Sequence, residues 1–419
     1  MMRFEASQQT DRNHANQDNR KSDVIKSAPN ARHIVLFLPT YLPETYGGAE
    51  QQSRKFADAL LERGIRVTIL APRIFKTTPA SELSGRLRII RFKLRGLPNL
   101  GGRHILSFTW WSLRTALWLW HNRHSYDVIH IIHGRLHAVG PLIGAMLTGK
   151  PALIKIGRGG DHFDIRVVRR KKLIGLPCAF LVKRLTTGFI ANSQEIAQDL
   201  VTHGVPVAKV HRIPNGVIMP SNSDARHMAA SDATRFVYLG RLDSEKALDW
   251  MIEGFAKLPS KAEARLVIVG DGPCGNELKA LAIRLGISDR VEFPGRVDDV
   301  APYLETADFY LSTSLSEGMS NALLEAMSYA VPPLVSRVSG VDDMVIDGKS
   351  GLLFEAGNIA AYTSKLLAAI AMSPDDRHSM GQAAAATVRD RFGMDKVTDQ
   401  HIALYDSLMA TKTASAIRQ

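Results

Sequence analysis

The sequence predicts an α/β protein of two Rossmann-like domains, each with a mostly parallel sheet, facing each other across a cleft. Three observations predict this. Short apolar, β-rich runs alternate with helix-length segments from His33 to Thr202, and a second such series starts at Phe236. This alternation is the pattern of parallel sheets with right-handed crossovers. The turn Ile213-Pro214-Asn215-Gly216-Val217 and a polar stretch at 219–234 separate the two series. Several strands run directly into glycine-rich loops, the edge at which open α/β sheets bind ligands.

The length of 419 residues leaves room for both domains and their cores. Residues 1–30 are polar and lack an apolar segment, so they read as a disordered leader and not a secretory signal. Residues 31–214 form the expected first domain and 215–395 the second. Residues 396–419 form a last helix, expected to fold back onto the first domain. Cys178 and Cys274 are the only cysteines, which excludes a disulfide framework and suits a reducing cytoplasm.

The formal net charge is +12 and sits in the first half. Leu83–Tyr126 holds eight Lys or Arg and no acid, and Arg166–Arg184 holds seven and no acid. A basic face of this kind meets nucleic acid, anionic lipid or a phosphorylated substrate.

In the first series, His33–Pro39 reads as a buried strand. It leads through a turn-rich loop to Gly47-Gly48 and a helix over Gln51–Arg63, stopped by Gly64. Arg66–Ala71 is the second strand and Leu87–Phe92 the next. His104–His121 is a helix with Trp110, Trp111, Trp118 and Trp120. It is too short, and too interrupted by Arg114, to span a bilayer. Two readings of it stand: a buried helix, or one whose tryptophans reach a membrane interface. Asp127–Ile132 is a strand that places His133 at its ligand-binding edge, so His133 is either functional or structural. Ala152–Ile156 is a strand followed by Gly157-Arg158-Gly159-Gly160-Asp161, and Gly188–Ser193 and Val210–Pro214 complete the series.

The second series repeats the pattern. Phe236–Leu239 is a strand, followed by a loop carrying Arg241 and Lys246 in front of a helix from about Leu248. An arginine fork and a lysine point charge at a helix start suit a diphosphate. Arg265–Val269 and Val291–Phe293 are strands, the latter continued by Pro294-Gly295-Arg296-Val297. Ala307–Ser312 is a strand and delivers the segment Ser316–Val335, around which the second domain is organised. There Glu317 lies on a loop, Gly318-Met319-Ser320-Asn321 form a turn and cap, and Glu325 lies one turn into a helix. The helix's first N–H groups have no internal partner and attract phosphate. One glutamate on the loop and one on the helix can grip the two ends of an elongated ligand with an anionic middle. A nucleotide-sugar has that shape. Further strands at Pro332–Ser336 and Leu352–Phe354 and three helices finish the chain.

The segment Glu317-Gly318-Met319-Ser320-Asn321-Ala322-Leu323-Leu324-Glu325 resembles the E-x7-E motif of the retaining GT-B glycosyltransferases of family 4. Gly240-Arg241-Leu242 with Glu245-Lys246, the hinge Ile213–Val217 and the pair Gly47-Gly48 are similar to further segments of that family. The resemblance implies the GT-B fold and transfer of a sugar from a UDP- or GDP-sugar to a lipid-linked or glycan acceptor. The setting it implies is cell-surface polysaccharide, lipopolysaccharide or glycolipid synthesis. It implies catalytic roles for Glu317, Arg241 and Lys246. Donor binding falls to Glu325, Gly47, Gly48, Gly318, Met319, Ser320, Asn321, Arg296 and Val297. His133, Arg158 and Asp161 are the candidates on the acceptor side. Two departures stand out. Relatives carry a histidine near Gly157 that contacts the donor sugar, and a glycine where Ala247 stands.

No Asp-x-Asp pair and no Cys/His cluster at metal spacing occurs, so no metal or other cofactor is expected. Gly348-Lys349-Ser350 lacks the upstream glycine of a phosphate-binding loop. The expected site of action is the cytoplasm, with the basic first domain on an anionic inner membrane face and no nucleic-acid partner. The rival readings are an epimerase with the same donor pocket and a basic, non-enzymatic binder of nucleic acid or another polyanion.

Overall fold

The structure, a computed structural model, describes residues 32–95, 105–172, 174–220, 233–259 and 262–417. The expected leader and most of the 219–234 stretch lie outside the described residues.

An eight-stranded sheet runs in the order β3-β4-β2-β1-β5-β6-β7-β8. Its strands are β1 (His33–Phe37), β2 (Arg66–Arg73), β3 (Ser81–Ser84), β4 (Leu87–Lys93), β5 (Val128–Ile132), β6 (Ala152–Ile156), β7 (Gly188–Ala191) and β8 (Val210–Arg212). All pairs are parallel except β3 with β4. The helices are α1 (Gly48–Glu62), α2 (Ile105–His121), α3 (Val139–Thr148), α4 (Asp164–Arg169), α5 (Gly175–Leu185) and α6 (Gln194–Thr202). Side chains alternate across each strand. Val35, Phe37, Ile129, Ile131, Ile154 and Ile156 fill one core with α2, α3, α5 and α6. Ile34, Leu36, Val128, Ile132 and Leu153 fill the other with α1.

A six-stranded parallel sheet follows, in the order β11-β10-β9-β12-β13-β14. It consists of β9 (Thr234–Leu239), β10 (Ala264–Val269), β11 (Val291–Gly295), β12 (Phe309–Ser312), β13 (Pro333–Arg337) and β14 (Leu352–Glu355). Its helices include α7 (Leu248–Ala256), α8 (Gly275–Arg284), α9 (Ala301–Glu305) and α10 (Asn321–Ser328). The last three are α11 (Ile359–Ala371), α12 (Pro374–Arg391) and α13 (Met394–Ile417). The strand order reverses between β1 and β5 in the first sheet and between β9 and β12 in the second. The loops that leave these four strands therefore flank the crevices where such sheets bind ligands.

The chain crosses between the domains twice. It leaves the first near Val217 and returns near Gly393, where the two segments form a parallel bridge. Val217 donates its N–H to Phe392 O at 2.8 Å and accepts from Met394 N at 2.8 Å. Helix α13 then lays Val397, Leu404 and Tyr405 into the α1 face of the first sheet. Arg63, which caps the end of α1, donates to Asp399 at 2.7 Å and to Asp395 at 3.0 Å.

Two details differ from the sequence reading. Strand β3 stands between the strands expected at Arg66–Ala71 and Leu87–Phe92, and its short polar run carries no buried alternation that would announce it. Arg91, counted with the free basic residues, is buried and donates to Glu82 at 2.6 Å and Leu42 O at 2.6 Å. It is therefore a structural cation, paired through its terminal nitrogens while its Nε has no partner.

Tyr405 is fully buried where α13 meets the first sheet, with its hydroxyl 2.7 Å from His130 Nδ1. Tyr405→Ala is predicted to lower stability by about 3 kcal/mol. Urea unfolding checks this, and a change below about 1 kcal/mol would mean that α13 contributes little to the first core.

Candidate functional site: a cleft between two sheet edges

Strand β12 ends in a buried loop that carries Thr313, Ser314 and Glu317 to the start of α10. Ser320 caps that helix, its hydroxyl accepting from Leu323 N at 3.3 Å. Glu317 thus lies on the loop and Glu325 inside α10. Lys246 ends a short 3-10 turn after β9, and its ammonium pairs with the Glu317 carboxylate, which also accepts from Ser314 Oγ at 2.9 Å. Thr313 Oγ1 donates to Lys246 O at 3.0 Å and Ala247 O at 2.9 Å, fixing the loop against the neighbouring strand end. Ala247 has φ of 46°, a left-handed conformation that glycine adopts at less cost. Arg241 stays two-thirds exposed, 3.7 Å from Asp243.

The first domain faces this loop with the turn before α1. Glu50, buried in the first turn of α1, accepts from Thr40 Oγ1 at 2.6 Å and Thr45 Oγ1 at 2.8 Å. It braces the Gly47-Gly48 turn. Asn321 donates to Gly48 O at 2.9 Å, and Asn215 donates to Asn321 Oδ1 at 2.8 Å. Charged pairs cross the cleft as well. Arg158 reaches Glu245 at 2.8 Å, and this hydrogen bond holds the Glu245 carboxyl below its ordinary value. Lys55 pairs with Glu325, and the Arg296 guanidinium lies 3.5 Å from the centre of the Tyr46 ring. Backbone meets backbone at Gly318, where an added Cβ would overlap the Gly157 carbonyl.

His133 follows β5 with φ of 66°, an uncommon conformation for a side chain of its size. Its ring lies over Gly157, where an added Cβ would overlap it. The ring position of His133 therefore requires a glycine at 157. Asp164 is fully buried beside them, accepting from Gly134 N at 3.0 Å and Arg135 Nε at 2.7 Å, with His133 Nδ1 at 3.6 Å. Burial alone would raise this carboxyl, but His133 and Arg135 outweigh it and hold Asp164 well below the carboxylate range.

These elements enclose a cavity of about 620 Å³. Of the residues singled out in the sequence, Gly47, Gly48, His133, Arg158, Arg241, Lys246, Glu317, Gly318, Met319, Ser320 and Asn321 line it. The others are not among its lining residues. Glu325 is engaged by Lys55, Arg296 by Tyr46, and Val297 packs beside the second core. Asp161 is exposed and pairs with Arg166 at 3.1 Å, so it does not face the cavity. Glu50, His130, Lys155, Asn192 and His401 do line it, although nothing in the local sequence singled them out. Lys155 and His130 looked like members of ordinary strands, and His401 joins them only through the fold of α13. Among the described residues, no group of three or more His, Cys, Asp or Glu is arranged to hold a metal ion.

Residues 46–219 match the family model described as Glycosyltransferase Family 4, and residues 233–372 match that of Glycosyl transferases group 1. The chain is 31% identical over 171 residues to the N-acetyl-alpha-D-glucosaminyl L-malate synthase of Bacillus anthracis, covering 40% of this chain and 44% of that protein. It is 28% identical over 177 residues to the lipopolysaccharide core biosynthesis glycosyltransferase LpsE of Rhizobium meliloti, covering 42% and 51%. The matches thus span about half the length of these relatives. The crystal structure of HepE from Anabaena in complex with UDP-glucose superposes with a TM-score of 0.70 at 20% identity, over 89% of this chain and 99% of that one. At that identity the likeness is one of fold, and the fold is GT-B.

Gly157→Ala is predicted to lower stability by about 1–3 kcal/mol, because the new methyl group strikes the His133 ring. Adding His133→Ala should recover most of that loss. Thermal unfolding of the two single variants and the double variant measures the coupling, and strictly additive effects would disprove the contact.

Proposed function

We propose that this chain, which belongs to the group 1 and family 4 glycosyltransferases, transfers a sugar from a nucleoside-diphosphate sugar to an acceptor hydroxyl with retention of configuration. The observation that carries the reading is the Lys246–Glu317 pair at the start of α10, inside a cavity walled by both sheets. As the sugar bond breaks, negative charge grows on the departing diphosphate. Lys246, Arg241 and the start of α10 line one cavity, and together they stabilise such charge. Glu317 pairs with Lys246. With a diphosphate on Lys246, Glu317 is released to accept from hydroxyls of the donor sugar. Glu325 takes the ribose hydroxyls on exchanging Lys55, and His133, held by Asp164, faces the sugar from the first domain. The bond from the anomeric carbon to the diphosphate breaks, a bond to the acceptor oxygen forms, and the acceptor proton leaves with the nucleoside diphosphate. No metal takes part, because the two cations and the helix start supply the positive charge.

The donor is a UDP- or GDP-sugar; the UDP-glucose held by HepE favours UDP. The acceptor is a lipid-linked or glycan molecule of cell-surface polysaccharide, lipopolysaccharide or glycolipid synthesis. The likeness to LpsE supports that setting. Work on such an acceptor places the enzyme at the cytoplasmic membrane face, and the outer surface of the first domain supports this. Helix α2 packs along α3, and α3 along α5. Their outer faces expose Leu106, Trp110, Leu113, Leu117 and Trp120 of α2, Met146 and Leu147 of α3, and Leu176 and Phe180 of α5. Trp111, by contrast, is wholly buried, so one helix serves core and surface at once. Arg169, Arg170, Lys171 and Lys172 lie exposed just before α5. Apolar side chains beside a basic cluster suit an anionic bilayer surface, at about 1 kcal/mol per Lys or Arg. Among the described residues no helix is long and apolar enough to cross a membrane.

The reading is tested with UDP- and GDP-sugar panels, with and without acceptor and in the presence of EDTA, followed by mass spectrometry for transfer and proton NMR for configuration. Transfer that survives EDTA and retains configuration is the expected result. Glu317→Ala should lower kcat about tenfold or more, and Arg241→Ala with Lys246→Ala should weaken nucleoside diphosphate far more than nucleoside. Altered donor sugar without acceptor would instead identify an epimerase. Flotation with neutral or anionic vesicles tests the membrane contact. Binding should require anionic lipid, fade with salt and weaken in Trp110→Ser. Absence of binding to anionic vesicles at low salt would sink it.

A further inference from the structure

The cavity has a second polar end, deep in the first domain. Lys155 shares the face of Leu153, since side chains alternate along β6, and so points toward α1 and α13 and away from Ile154 and Ile156. Its ammonium has no acidic partner and no hydrogen bond among the described residues, whereas Lys246 and Arg158 are each paired with a glutamate. Burial draws the Lys155 ammonium down to about 8, so it is still mainly charged near neutrality. Around the same end lie three polar atoms buried without a partner: His130 Nε2, His401 Nε2 and Asn192 Oδ1. The first two belong to wholly buried rings held by their other nitrogens. His130 Nδ1 meets Tyr405 OH at 2.7 Å, and His401 Nδ1 meets Val397 O at 2.8 Å. Because Val397 O can only accept, His401 carries its proton on Nδ1, and its Nε2 presents a lone pair to the cavity. Asn192 Oδ1 presents another.

Three buried polar atoms without a partner beside a half-buried, unpaired ammonium form a costly arrangement unless a ligand completes it. The ligand must bring negative charge for Lys155 and hydroxyl donors for His401 and Asn192. We propose that this recess is a subsite for an anionic, hydroxyl-bearing group of the acceptor, a sugar or polyol carrying a phosphate or carboxylate. The inference rests on the glycosyltransferase reading, and it adds the acceptor's chemistry. Lys155 lies on the first sheet, whereas Arg241 and Lys246, assigned to the donor diphosphate, belong to the loop after β9. One anionic site thus serves each substrate. Phe56 of α1, which also lines the cavity, packs against His401 with ring centres 4.6 Å apart.

The test uses the full-length protein with UDP, or GDP if that is the nucleotide it binds, at saturation so that the donor diphosphate site is filled. Inorganic phosphate, glucose 6-phosphate and glucose are then titrated calorimetrically into the wild type and Lys155→Met. The wild type should bind glucose 6-phosphate more tightly than glucose, and Lys155→Met should lose about tenfold or more of that preference. The nucleotide affinity should be unchanged. Without ligand, Lys155→Met should melt at or above the wild-type temperature, since an apolar chain replaces an unpaired buried charge. Equal preference in both proteins overturns the proposal. So does loss of nucleotide binding in Lys155→Met, which would assign the lysine to the donor, and so does a marked fall in melting temperature, which would make it structural. Failure of the wild type to bind any nucleotide would instead strike the glycosyltransferase reading.

Discussion

The two domains touch backbone to backbone where Gly318 lies against the carbonyl of Gly157, and the geometry of the cleft depends on that approach. A side chain at Gly318 would press on that carbonyl, whereas one at Gly157 would strike the His133 ring of its own domain. One glycine precedes α10 and the other follows β6, so the approach brings the start of a helix from one domain to the strand ends of the other. Gly340, with φ of 79°, backs Gly318 from the other side and leaves it no room to retreat. The groups that converge on the cavity, His133 from one side and Glu317 from the other, owe their closeness to this contact.

Within the cleft most charges are already neutralised. Lys246 has Glu317, Arg158 has Glu245, Lys55 has Glu325, and Glu50 has two threonine hydroxyls. Buried or half-buried ions without such partners would be costly. A ligand that enters must therefore exchange partners rather than find vacant ones, which favours ligands carrying both anionic and hydroxyl groups. Lys155 is the exception to this pairing.

What was legible in the sequence was local. The alternation of strand and helix gave both sheets, and the Ser320 cap gave the start of α10 and with it the positions of Glu317 and Glu325. A cap and a turn involve neighbours in the chain, so their residues announce them. The partnerships across the cleft were not legible, because Lys55 and Glu325 are 270 residues apart and His130 and Tyr405 are 275 apart. Nor was the left-handed turn at His133, whose ring occupies space that the missing side chain at Gly157, just after β6, leaves open. The helix with four tryptophans was ambiguous for a related reason. Trp111 and Trp110 are adjacent in sequence and point to opposite environments, and only packing against α3 decides which is buried.

The bridge between Val217 and Gly393 makes the connection between the domains a double strand. A single tether allows swivelling about any axis, whereas two tethers bonded side by side behave like a strap hinge. Such a hinge bends readily about the line across the strap and resists twisting along it. The domains of this protein can thus open and close the cleft as a book does, while the register of one sheet edge over the other is kept. Each closing stroke then returns Gly318 to the same place under Gly157, without any need for the domains to search for their alignment.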